Sequence, residues 1–111
     1  MQYMLFIATD AEPDPAGEQG NTIEAWLAEG ERRGIRQMGE RLRPPDDATT
    51  VRVRKGELLI TDGPFAESKE WVAGFDIIEC DDLDEAIDYA SRHPMARQGR
   101  IEIRPFWPWE G

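Results

Sequence analysis

Asp62, Glu67, Lys69 and Glu70 crowd into one nine-residue stretch, Asp62-Gly63-Pro64-Phe65-Ala66-Glu67-Ser68-Lys69-Glu70. An apolar run from Trp71 to Ile78 follows at once. A carboxylate held beside a lysine in a half-buried setting can bind a polar ligand or move a proton. On that reading Asp62, Glu67 and Lys69 are the candidate catalytic residues. Asp62 or Glu67 would move the proton, and Lys69 or Arg104 would steady an anion. Glu70, with Arg104 from the last strand, would bind the ligand. A small-molecule pocket is then expected to be lined by at least one of Asp62, Glu67, Lys69 and Glu70. The same stretch also admits a structural role: Asp62 bonding the turn backbone, Phe65 anchoring the loop, and Lys69 paired with Glu67 or Glu70.

Other reactive types are sparse. His93, before Pro94, is expected at a helix end, where a cation meets the helix dipole and catalysis has no second partner. Cys80 is a lone thiol at a strand end, and packing is its expected role. It cannot form an internal disulfide, which suits a reducing cytoplasm. One Cys and one His thirteen positions apart provide no metal-ligand cluster, so neither a metal nor a cofactor is expected. Arg52 and Arg54 fall on the polar face of a strand. Trp71, Phe75, Trp107 and Trp109 read as core or interface aromatics.

The elements that must position these residues follow from periodicity and capping. Tyr3 to Ala8 is continuously apolar, as in a strand covered on both faces. Asn21 and Glu24 form a capping pair for a first helix, with Ile23, Trp26, Leu27 and Gly30 on one face and Gly34 at its end. A second strand starts at Ile35. Thr49 to Arg54 alternates strictly, Lys55-Gly56 is a two-residue turn, and Glu57 to Thr61 returns. Trp71 to Cys80 is again apolar on both faces. Asp82 caps a second helix, with Leu83, Ala86, Ile87 and Ala90 at amphipathic spacing. Arg100 to Arg104 alternates, with Ile101 and Ile103 inward. Residues 106–111 form an aromatic tail.

The order β-α-β, hairpin, β-α-β predicts an α+β domain of the ferredoxin-like split βαβ plan, carrying an inserted β-hairpin. The first strand and the Trp71 strand would be central. Two helices cover one face of such a sheet, so a second copy of the chain is expected on the other. The length of 111 residues fits one domain. The net charge of −10 argues against nucleic acid and against anionic membrane surfaces. No run approaches the ~20 apolar residues of a membrane span.

Asp62 to Glu70 (DGPFAESKE) resembles the signature of the DGPF group of YCII-related proteins. Ala48-Thr49-Thr50-Val51-Arg52 before it, and Gly74-Phe75, Asp82-Leu83-Asp84-Glu85-Ala86 and Glu102-Ile103-Arg104-Pro105 after it, extend the likeness over Tyr3 to Pro105. The resemblance implies a small bacterial cytoplasmic protein whose two sheets form a dimeric α+β barrel. Related folds include small monooxygenases and lactone isomerases, often without cofactor. YCII-type relatives are credited with a His-Asp pair in the N-terminal half, but this chain has no histidine before His93. The expected function is binding of a small polar metabolite near the DGPF loop, with cofactor-free acid–base chemistry if the protein is an enzyme. The alternative is a non-catalytic regulatory or protein-interaction module.

Overall fold

The computed structural model describes residues 1–16, 20–64 and 70–108. Phe65, Glu67, Lys69 and Trp109 lie outside them, and with them the expectations placed on those four side chains. The described chain is α+β. Its strands are β1 (Gln2–Thr9), β2 (Arg36–Arg41), β3 (Thr49–Arg54), β4 (Glu57–Asp62), β5 (Val72–Glu79) and β6 (Gly99–Pro105). Its helices are α1 (Ile23–Arg32), α2 (Leu83–Ser91) and the short α3 (Met95–Gln98).

Four strands form one antiparallel sheet in the order β2-β5-β1-β6. The two strands that read as apolar on both faces, β1 and β5, are the central pair. Alternation then sorts their side chains. Tyr3, Leu5, Ile7 and Ile78 face the helices and are buried, together with Trp26, Ile35, Ala86, Tyr89 and Ala90. Ile101 and Ile103 of β6 pack against this core from the edge. Met4, Phe6, Phe75 and Ile77 lie on the opposite face and are half-buried.

Capping decides where the helices start. Thr22, not Asn21, caps α1: its hydroxyl accepts from the Ala25 N–H at 3.1 Å. Asp82 caps α2 as the spacing indicates, accepting from Glu85 N–H at 2.9 Å, while Glu85 accepts from the Asp81 N–H at 3.2 Å. The buried face of α2 differs from the one the spacing suggests. Leu83 and Ile87 are exposed, and Tyr89 is buried beside Ala86 and Ala90. Tyr89 takes the central place because its hydroxyl finds a buried carbonyl partner on α1. The sequence also hides α3, which packs against β6 and β1 as a single turn begun at Pro94.

The hairpin β3–β4 forms its own two-stranded sheet. Lys55 and Gly56 both have positive φ, at 53° and 77°, as a two-residue hairpin turn requires.

Candidate functional site

The densest polar arrangement in the interior begins with Asp76. It sits mid-strand on the helix-facing side of β5, and only 6% of its surface is exposed. Arg36, at the start of β2, meets it from the neighbouring edge strand: Nε donates to Asp76 Oδ1 at 2.7 Å. The register explains how the pair fits. Gly39 stands directly opposite Asp76. A Cβ on Gly39 would overlap Asp76 Oδ1, and it would lie 2.6 Å from the Phe75 carbonyl and 2.7 Å from Arg36 Nη2. Glycine at 39 thus opens the space in which carboxylate and guanidinium meet. Burial raises the Asp76 carboxyl above its ordinary range, and Arg36 only partly offsets this.

Trp26, fully buried on α1, builds the wall above the pair. Its ring stacks on Tyr89 with centroids 4.2 Å apart. Trp26 Nε1 donates to the Tyr89 carbonyl at 2.8 Å, and Tyr89 Oη donates to the Trp26 carbonyl at 2.9 Å. Two bulky polar aromatics are buried with both donors satisfied, so the wall is rigid. Gly30 allows the approach, because a Cβ there would collide with Tyr89 Oη.

His93 meets the edge of Trp26 with centroids 4.6 Å apart. It is 7% exposed, and the Met95 N–H donates to its Nδ1 at 2.9 Å. Burial, with the nearby Arg36 charge, pushes the imidazole down to about 4. The expectation of a charged histidine serving a helix dipole is therefore corrected. The ring is neutral at pH 7, and with Nδ1 accepting, its proton sits on Nε2.

These groups share one cleft of about 590 Å³, between α1, the α2–α3 corner and the end of the sheet. Ile7, Ile23, Leu27 and Met95 make it largely apolar, and Arg36, Asp76 and His93 supply polar groups near Trp26, with Glu40, Arg41 and Gln98 also on its lining. Such a cavity, apolar with a few convergent polar groups, has the size and character of a small-molecule site. Asp76 Oδ2 and the terminal nitrogens of Arg36 make no hydrogen bond among the described residues. Among the described residues no group of three or more His, Cys, Asp and Glu could hold a metal ion.

Of the residues singled out in the sequence, the described ones, Asp62, Glu70 and Arg104, lie elsewhere. Asp62 ends β4 and is exposed. Glu70 is half-buried and paired with Arg100, not with Arg104. Arg104 is exposed on β6, opposite Met4 of β1. None of the three lines the cleft. Cys80 is buried and its thiol is pushed up to about 11 by burial and Glu85, as an inert packing residue would be. A separate ion network ties the helices together: Glu29 accepts from both Arg92 and Arg33, and Arg92 also holds Asp88 at 2.7 Å.

Asp76 had a visible signal. It is an acid in the middle of an otherwise apolar central strand, Val72-Ala73-Gly74-Phe75-Asp76-Ile77-Ile78. A carboxylate at such a position is bound to be paired or functional. Arg36 had no comparable signal, because its partner lies forty positions away.

The sequence profile of the YCII-related domain matches residues 1–110. An uncharacterised protein of Rhizobium meliloti (strain 1021) is 46% identical over 67 residues, which are 59% of this chain. The match spans 54% of that protein's length, about half.

Proposed function

The chain belongs to the YCII-related family, and on that premise we propose that it binds a small metabolite in the Arg36–Asp76–His93 cleft and acts on it by proton transfer. The observation that carries this reading is the convergence of a buried carboxylate, a guanidinium and a neutral imidazole on one apolar cavity. Such groups are costly to bury, and a fold that needed only stability would fill the space with aliphatic side chains.

In this reading Asp76 is the base. Its desolvated carboxylate accepts a proton from an acidic C–H or O–H of the ligand. The Arg36 nitrogens then hold the negative charge that develops. His93 donates Nε2–H to a ligand oxygen and orients it. The Trp26–Tyr89 stack fixes the His93 ring. Asp62 and Glu70 then have supporting roles, and Arg104 stands outside the site.

The strand order supports a ferredoxin-like plan, and the apolar face made by Met4, Phe6, Phe75 and Ile77 supports a homodimer in which two sheets stack as an α+β barrel.

His93 is the sole histidine, so its ring protons give a single reporter inside the cleft. Metabolites that raise the melting temperature should shift the His93 Hε1 resonance, and Arg36→Met should abolish that shift. Ligands that stabilise the protein while leaving His93 unmoved, and that bind Arg36→Met as well as the parent, would place the site elsewhere.

A further inference from the structure

We propose that the β3–β4 hairpin is an arm that clasps a second copy of this chain through the face made by Val51, Val53, Leu58 and Ile60. The register sets Val51 opposite Ile60 and Val53 opposite Leu58, so the four side chains form one continuous patch. Each is between 58% and 63% exposed. Scattered exposed aliphatics are ordinary, but four contiguous ones on a single face mark a surface that is covered in use. The strict alternation in β3 says the same: one face is aliphatic and the other carries Arg52 and Arg54.

Among the described residues, β3 and β4 pack mainly on each other. A lone two-stranded hairpin is marginal in water, and stability comes from a third strand or a packed face. Among the described residues the hydrogen bonds at its root close the hairpin on itself: the Gly63 N–H donates to the Ala48 carbonyl, and Thr50 Oγ1 donates to the Gly63 carbonyl at 2.8 Å. The shape agrees. The radius of gyration is 16.3 Å, against about 13 Å for a compact chain of this length. The smallest extent is 19 Å, one sheet plus one helix layer. The arm therefore projects from the body and leaves the open face of its own sheet bare.

Charge selects the occupant. The arm tip carries Arg54 and Lys55, both exposed, on a chain of net charge −10. A basic tip on an acidic body is complementary to a second copy of the same body. Area sets how the arm works. Four aliphatics of about 100 Å² each, counted on two arms, hide roughly 800 Å², and the partner surface they cover adds about as much, within the ~1,200–2,000 Å² of a stable interface. The clasp rests on the sheet-stacked dimer above and tightens it.

Sedimentation equilibrium on the parent and on Val53→Glu/Leu58→Glu tests the clasp. The residues are exposed in the single chain, so the variant should keep its far-ultraviolet dichroism, and its dimer dissociation constant should rise by roughly tenfold or more. A spin label on Lys55→Cys, mixed with isotope-labelled unmodified protein, should broaden resonances of the labelled copy. A dimeric parent with an unchanged constant in the variant and no broadening would overturn the arm while leaving the stacked dimer standing. A parent that stays monomeric at micromolar concentration would overturn both.

Discussion

His93 stays neutral because its ring is walled in by Trp26 and lies near the Arg36 charge. That has a measurable consequence for stability. Its folded pKa is about 4, against 6.5 for the free side chain. Between those values the unfolded chain binds a proton that the folded chain does not. The stability from neutral His93 is therefore complete above pH 6.5 and is lost as the pH falls toward 4. The slope reaches about 1.4 kcal/mol per pH unit, roughly 3 kcal/mol across the window. Asp76 has the opposite sign, since its raised carboxyl favours the fold at low pH and ceases to do so as the pH rises through its folded value. Comparing denaturant melts of the parent with those of His93→Gln isolates the histidine share. The His93 resonance should titrate with a midpoint near 4, and a midpoint near 6.5 would refute the buried ring.

At the scale of elements, β2 shows how an edge strand can make a site. Its central glycine is there because β5 puts a carboxylate opposite it. Gly39→Ala should force Arg36 and Asp76 apart or push β2 off the sheet, because the Phe75 backbone cannot yield. The expected cost is about 1–3 kcal/mol in urea melts, with loss of ligand binding. A variant as stable as the parent and with unaltered binding would show that the pair does not depend on this register. The helices are bound to each other by different means: the reciprocal Trp26–Tyr89 hydrogen bonds inside, and Arg92 bridging Glu29 and Asp88 at the rim. The bridge holds the Glu29 carboxyl below its ordinary range, chiefly through Arg92. It is partly exposed, so its share of the stability is small.

For the whole molecule, the thin shape is the main constraint. Among the described residues, a two-layer sheet-and-helix body leaves the half-buried Met4, Phe6, Phe75 and Ile77 without a covering helix or sheet. Light scattering should give twice the chain mass at micromolar concentration, and Phe6→Glu, at the centre of that face, should give the single mass with unchanged helix content. A Phe6→Glu variant that remains dimeric would move the interface away from the sheet. No helix among the described residues is long and apolar enough to cross a membrane.

Composition, alternation and capping were enough to read the order of the strands and of the two main helices, because each is a local property of a few consecutive residues. The both-face apolar runs of β1 and β5 even placed those strands at the centre of the sheet. The cap at Asp82 and the turn at Lys55-Gly56 were legible for the same reason. The charge-dense DGPF stretch drew attention because density along the chain is what a sequence displays. The cleft was not legible there, since its parts come from residues 36, 76 and 93, on three different elements. Burial moved His93 from a charged helix cap to a neutral wall residue, and burial is a property of neighbours that lie distant in the chain. Only the tertiary structure decided which polar groups left water together, and that is what makes Asp76, Arg36 and His93 a site.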